Sequence, residues 1–377
     1  MSHQCEVVFD ARWLRTGIGR YTLTLLQDLK KKLPDTLLTC ITMPAHMQTV
    51  APLCDQVIEM SCGIYSLTEQ AQLPLVARGA SVFCAPHYNI PIFRTGPLVV
   101  TIHDLTHLIF PAYRRRLHAR LYAELMLQVA CSKAAHLVTP SHYTRQMLID
   151  RLGANPDKIA VIPCAVGKVF RQWDKTEAAN EVRDSYEIST PYILFVGSAA
   201  PHKNLTTLLA AYDHLSAKRR DMPALVLVLP QKTNSSLTDA KLLSLMTMPR
   251  VHPLHTVDDH SLASLYSAAL MTVVPSFEEG FGLPVIESMA CGTPLVCSRA
   301  ASLPEIAGDN AIYFSPHSAE DIATAIERVL DSQALQQQLS VAGLERAARY
   351  SVSHAAGAYA SILSSITREQ RSRTLLQ

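Results

Sequence analysis

Two carboxylates, Glu279 and Glu287, stand on either side of a glycine turn with seven residues between them, in the run Pro275-Ser276-Phe277-Glu278-Glu279-Gly280-Phe281-Gly282-Leu283-Pro284-Val285-Ile286-Glu287. A carboxylate accepts paired hydroxyl hydrogen bonds, so one of the two suits a sugar ring and the other a ribose. The run follows an apolar segment, Met271 to Val274, bends through Gly280 and Gly282, and opens a helix with Pro284 in its first turn, where proline is tolerated. Gly292 is a natural stop for that helix. Strand, glycine turn and helix N-terminus together aim backbone N–H groups and the positive end of the helix dipole at the C-terminal edge of a sheet, where a diphosphate would sit. On the residues alone the turn reads equally as a ligand site or as plain turn geometry, because glycine turns of this kind are common in α/β proteins.

Three further positions carry chemistry of the same sort. Lys203 lies at the mouth of a second strand-to-helix turn, Gly197-Ser198-Ala199-Ala200-Pro201-His202-Lys203-Asn204, where it offers a mobile positive charge to a departing diphosphate or is an ordinary exposed lysine. Thr16-Gly17-Ile18-Gly19-Arg20-Tyr21 follows the first apolar run and opens a helix with Ile18, Tyr21, Leu25 and Leu29 on one side. His103 closes the apolar run Thr101-Ile102-His103-Asp104, a placement that is structural as readily as catalytic. No Asp-x-Asp pair ends a strand in the way that would hold a cation, and Asp258-Asp259 reads as a helix-capping pair, so no metal site is expected.

These turns need strands to hold them. Apolar runs that do not alternate, as expected of parallel strands covered on both faces, fall at Cys5–Asp10, Leu37–Thr42, Val57–Met60, Ser81–Cys84, Leu98–His103, His136–Thr139 and Ile159–Ile162. A second set falls at Tyr192–Gly197, Ala224–Leu229, Val251–Leu254, Met271–Val274, Leu295–Ser298 and Ala311–Phe314. Segments of helical period separate them, which predicts two doubly wound α/β domains, and 377 residues exceed what one core of roughly 250 to 300 residues accommodates. The polar stretch Val169–Thr190 sets the boundary, dividing the chain into residues 1–172 and 173–352, and a last helix from about Ser353 caps one domain or the other.

With 48% hydrophobic and 18% charged residues and a net charge of +2, the chain is neither disordered nor basic enough for nucleic acid to be its main partner. Nine scattered cysteines without a CxxC pair read as buried free thiols in a reducing compartment. The opening run reads as a strand with no leader ahead of it, and no stretch reaches the roughly 18 apolar residues of a membrane span. A cytoplasmic protein is expected. The basic and aromatic segment from Phe110 to Tyr122 is either a solvated helix face or a surface that rests on an anionic membrane.

The run from Glu279 to Glu287 resembles the E-x7-E signature of the family-four retaining glycosyltransferases, with Gly280-Phe281-Gly282-Leu283-Pro284 between the two Glu positions. Lys203-Asn204 is similar to the family's Lys-Asn pair, Gly17-Ile18-Gly19 to its first glycine turn and His103-Asp104 to its His-Asp step, and the likeness extends over nearly the whole chain, most closely to bacterial O-antigen mannosyltransferases. The resemblance implies a GT-B fold, two Rossmann-like domains facing across a cleft, with the last helix crossing back onto the first domain. It implies a hexosyltransferase that works with retention and without a metal ion, taking a nucleotide-sugar, GDP-mannose before UDP-sugars, to a glycan or lipid-linked acceptor of polysaccharide biosynthesis. His103, Lys203 and Glu279 would be catalytic. Gly17, Gly19, Gly197, Ser198, Lys203, Gly280, Phe281, Gly282, Leu283 and Glu287 would bind the donor, Glu279 holding sugar hydroxyls and Glu287 the ribose. Ser198 stands where the family often has an arginine, which leaves Arg299 or backbone amides to supply the second phosphate contact. A non-catalytic nucleotide-sugar-binding subunit on the same fold is the rival from another class.

Overall fold

A computed structural model describes residues 5–14, 17–110, 117–189, 191–230 and 244–375. The chain forms two compact units, Met1–Ala165 with Ser351–Gln377, and Val166–Tyr350. Residues 166–172 therefore belong to the second unit, seven positions earlier than their polarity indicates. Phe170 explains the difference: it is buried, its ring 6.1 Å from that of Tyr266 in the second unit.

In the first unit β1 (Cys5–Asp10), β2 (Thr36–Thr42), β3 (Gln56–Glu59), β4 (Val82–Ala85), β5 (Leu98–Thr101), β6 (His136–Thr139) and β7 (Ile159–Val161) make one sheet in the order β3-β2-β1-β4-β5-β6-β7. Every pairing is parallel, with Phe9 opposite Cys40 on one side and Cys84 on the other. The second unit repeats the plan with β8 (Tyr192–Val196), β9 (Ala224–Leu229), β10 (Val251–His255), β11 (Met271–Val274), β12 (Leu295–Ser298) and β13 (Ile312–Phe314) in the order β10-β9-β8-β11-β12-β13, again parallel throughout. All thirteen apolar runs are strands, with ends shifted by up to two residues. The central ones, β4, β5, β11 and β12, are buried at every position, which is why their sequences run apolar without alternation.

In each sheet the winding direction reverses once, between β1 and β4 and between β8 and β11. Connections diverge there and leave a crevice beyond the strands' carboxyl ends, the place where open α/β sheets take ligands. The fold thus names two candidate positions before any side chain is considered.

The last helix, Val352–Leu375, packs on the Gly17–Lys32 helix and on β4. Its buried face is Val352, Ala355, Ala356, Tyr359, Ala360, Leu363 and Ile366, with Tyr359 6.1 Å from Phe9. Small residues let the two helices approach closely, while Tyr359 reaches the sheet, so this helix completes the core of the first unit. All nine cysteines are free, and Cys54 and Cys62 alone are not buried. Among the described residues no helix is long and apolar enough to cross a membrane. Residues 111–116 of the basic segment Phe110–Tyr122, with three of its four arginines, lie outside the described residues.

Candidate active site

At the second unit's reversal point, β8 runs into Gly197 and a short 3-10 turn, Pro201–Lys203, while β11 runs into the turn 275–282. Lys203 and Glu279, 76 residues apart, meet there: Lys203 Nζ donates to Glu279 Oε1 at 2.6 Å. Ser276 Oγ donates to the same oxygen at 2.7 Å, and the Glu279 carbonyl accepts from Ser302 Oγ at 2.9 Å. Glu279 is 9% exposed, so its carboxylate is aimed rather than free to swing.

The turns are tied to each other as well. Asn204 adopts a left-handed backbone, φ 57°, and its amide donates to the carbonyls of Pro275 at 2.9 Å and Pro316 at 2.7 Å, joining the turns after β8, β11 and β13. The Phe277 N–H donates to the His202 carbonyl at 2.8 Å. Gly282 sits at φ 91° as the N-cap of the Leu283–Ala290 helix, and a Cβ there would lie 2.7 Å from Leu303 Cδ2, so only glycine fits. Leu283 opens that helix and Phe281 is buried, its ring edge-on to Tyr350 at 5.7 Å.

Glu287 lies inside the same helix, 1% exposed, and accepts from Tyr266 Oη at 3.1 Å. Its carboxylate thus faces a buried tyrosine. Ser198 follows Gly197 and accepts from the Ala200 N–H at 3.4 Å. Arg299 follows β12, which β11 separates from β8, and its guanidinium lies 4.6 Å above the Tyr313 ring.

The remaining candidates belong to the first unit. The Gly17–Lys32 helix starts at Gly17, and a Cβ on Gly19 would fall 2.4 Å from the Leu14 backbone, so Gly19 serves the tight entry of the helix. Thr16 is outside the described residues. His103 follows β5, with Tyr21 edge-on at 4.7 Å, and its Nε2–H donates to the Pro86 carbonyl at 2.9 Å. Burial holds its pKa below the usual imidazole range. A carbonyl only accepts, so the neutral ring carries its proton on Nε2 and presents the Nδ1 lone pair as an acceptor. Asp104 is fixed by the Thr106 N–H at 2.8 Å; burial would raise its pKa, but hydrogen bonds from Thr106 outweigh that and hold it low. Among the described residues no three His, Cys, Asp or Glu side chains gather as a metal site would require.

Lys203, Glu279 and the Gly282 turn are visible in the sequence, whereas the roles of Ser276 and Tyr266, which hold the carboxylates, and of Ser302, which holds the Glu279 backbone carbonyl, are not. Asn204 alone among these supports had a signal, its place beside Lys203.

Residues 180–346 match the family described as group 1 glycosyl transferases, and residues 73–167 match glycosyltransferase family 4. The chain is 30% identical over 275 residues, 72% of its length and 70% of the other's, to the O-antigen chain mannosyltransferase B of Escherichia coli. This chain belongs to glycosyltransferase family four. It is an enzyme family of hexosyltransferases, and these Escherichia coli relatives are named mannosyltransferases. The serotype-specific mannosyltransferase WbdA of Escherichia coli is 31% identical over 215 residues, but the chain spans only 26% of that protein. Among solved structures, Anabaena HepE with UDP and glucose aligns over 96% of this chain and 100% of its own with a TM-score of 0.78 at 16% identity, which establishes the GT-B fold.

Proposed function

We propose that the chain transfers a hexose, mannose from GDP-mannose, to a glycan or lipid-linked acceptor in O-antigen-type polysaccharide synthesis, with retention and without a metal ion. The observation that carries this reading is the Lys203–Glu279 pair, set at the reversal point of the second unit beside the Gly282 helix start. Charge builds on the departing diphosphate as the anomeric bond breaks, and the groups able to meet it are the Lys203 ammonium and the N–H groups of the Gly280–Leu283 turn. Glu279, fixed by Ser276, accepts hydroxyl hydrogen bonds of the donor sugar. In the first unit, His103, neutral and presenting its Nδ1 lone pair, is the group suited to accept a sugar hydroxyl.

Retention follows if the acceptor attacks from the face of the leaving group and its proton passes to the departing phosphate, which calls for no further protein base. The donor ribose belongs with Glu287. Because Glu287 faces Tyr266, the reading requires it to act at the edge of the buried helix or through that helix's position. The relatives named mannosyltransferases support the sugar, and the HepE complex supports a nucleotide-sugar donor. A membrane-borne acceptor is part of the proposal: Leu121 and Leu125, each 55% exposed, give the Leu117–Lys133 helix apolar surface beside Arg120 for contact with the inner face of the cytoplasmic membrane.

The test is transfer from a donor panel to a mannosyl acceptor in the presence of EDTA, with product anomericity read by NMR. An α-linked product from GDP-mannose, undiminished by EDTA and lost in Lys203→Ala, is expected. Full activity in Lys203→Ala, or activity lost to EDTA and restored by Mn²⁺, overturns the scheme.

A further inference from the structure

The first unit has its own reversal point, between β1 and β4, and a set of buried charges fills the space beneath it. Arg12, just past β1, donates from Nε and Nη2 to the Asp10 carboxylate at 2.8 Å each and from Nη2 to Glu69 Oε1 at 2.5 Å. Glu69, on the Leu67–Val76 helix, uses Oε2 to accept the Tyr65 N–H at 2.7 Å and the Asn89 amide at 2.8 Å, and Asn89 accepts from Tyr122 Oη at 2.6 Å. Asp10, Arg12, Glu69 and Asn89 are each at most 2% exposed. Burying ions is costly and is offset only by close pairing and full hydrogen bonding, which these side chains supply to one another.

What they hold is Tyr65. Its backbone is left-handed, φ 65°, a conformation that a tyrosine adopts only when its surroundings impose it, and such strain gathers at ligand sites. The Glu69 carboxylate on its N–H supplies the constraint. The residue is 50% exposed, and its ring is walled edge-on by Trp13 at 5.5 Å and Tyr122 at 5.7 Å, with His87 at 6.1 Å. An exposed aromatic face is thus immobilised at the rim of a crevice where α/β sheets take ligands.

We infer that Tyr65 is the platform for the acceptor, its ring receiving the apolar face of an uncharged pyranose. This rests on the transferase reading above, since a two-substrate enzyme needs a second site. The charge points to a neutral ligand: one guanidinium faces two carboxylates, Asp10 and Glu69, leaving a balance of −1 that disfavours a diphosphate. The flat, apolar underside of a hexose ring fits an aromatic face, and its edge hydroxyls meet polar groups.

Saturation-transfer NMR on the full chain with octyl α-D-mannopyranoside and octyl β-D-glucopyranoside tests this without relying on turnover. The wild type should bind at least one of them, Tyr65→Phe and Tyr65→Trp should retain that binding, and Tyr65→Gly should weaken it roughly tenfold, the loss expected for one aromatic contact. Glycine tolerates the left-handed backbone at this position, and the melting temperature shows whether losing the ring's contacts disturbs the fold. Tyr65→Gly melting at the wild-type temperature while binding weakens supports the platform. No binding by the wild type, or equal binding by Tyr65→Gly, overturns it. Sugar binding with no transfer from any donor would sink the transferase reading and leave the platform standing.

Discussion

Lys203 and Glu279 neutralise one another across 2.6 Å, with side chains 20% and 10% exposed. A diphosphate must therefore draw Lys203 away from Glu279 or share it, and part of its binding energy is spent on that exchange. Glu279→Gln keeps the shape and the Ser276 contact but removes the competing charge. Its affinity for a nucleoside diphosphate should rise by roughly tenfold, about 1.4 kcal/mol, while transfer falls because the sugar loses its charged acceptor. Lys203→Ala should lower both. Isothermal titration with GDP separates the two cases, and weaker GDP binding by Glu279→Gln would show that the carboxylate does not compete. Gly282→Ala acts differently: at φ 91° with Leu303 Cδ2 2.7 Å from the new methyl, it should destabilise the second unit by about 1 to 3 kcal/mol, seen as a lower denaturation midpoint.

The turns that carry these residues are held by contacts between elements far apart in the chain. Asn204 is 5% exposed and reaches carbonyls 71 and 112 residues away. Removing its amide leaves two buried acceptors without that donor, so Asn204→Gly should cost about 1 to 3 kcal/mol, and Asn204→Ala about 1 kcal/mol more because alanine resists the left-handed backbone. Equal stability of the two variants, measured by chemical denaturation, would show that the backbone at 204 carries no strain. Such ties are what the sequence hides. The strands were readable because burial on both faces writes continuous apolar runs, as in Val82–Ala85 and Met271–Val274. The glycine turn was readable because Gly282 takes a left-handed backbone that other residues resist and Pro284 suits the first turn of a helix. Tyr266 under Glu287, Ser302 under the Glu279 carbonyl and Arg12 between two carboxylates depend on pairings fixed only once both sheets are wound. The boundary lies seven residues earlier for the same reason: nothing in the sequence singles out Phe170 in this polar stretch until Tyr266 is packed against it.

At the scale of the molecule, each unit has its own sheet and core, so stability divides between them and a single unfolding free energy does not describe the chain. Acid should weaken the first unit. Burial pushes the His87 pKa down to about 3, with the neighbouring His103 adding to the effect, and burial lowers His103 as well. His87 Nδ1 accepts the Asn89 N–H at 3.2 Å, a bond that exists only while that nitrogen is unprotonated. In the unfolded chain both rings take up protons near pH 6.5. Below that value the unfolded state binds more protons than the folded one, so stability is full above pH 6.5 and is lost as pH falls, for His87 by up to about 1.4 kcal/mol per pH unit on the way toward 3, with His103 acting in the same direction. Trp13, its ring 4.1 Å from that of His87, reports on this unit, and Trp173→Phe leaves it the sole tryptophan. The midpoint of urea unfolding followed by Trp13 fluorescence should hold steady from pH 8 to pH 7 and decline from pH 6.5 to pH 4.5. His87→Gln, which cannot be protonated in this range, should flatten part of that decline. A midpoint unchanged down to pH 4.5 would mean that these rings are charged in the folded state, and the neutral His103 acceptor would fall with it.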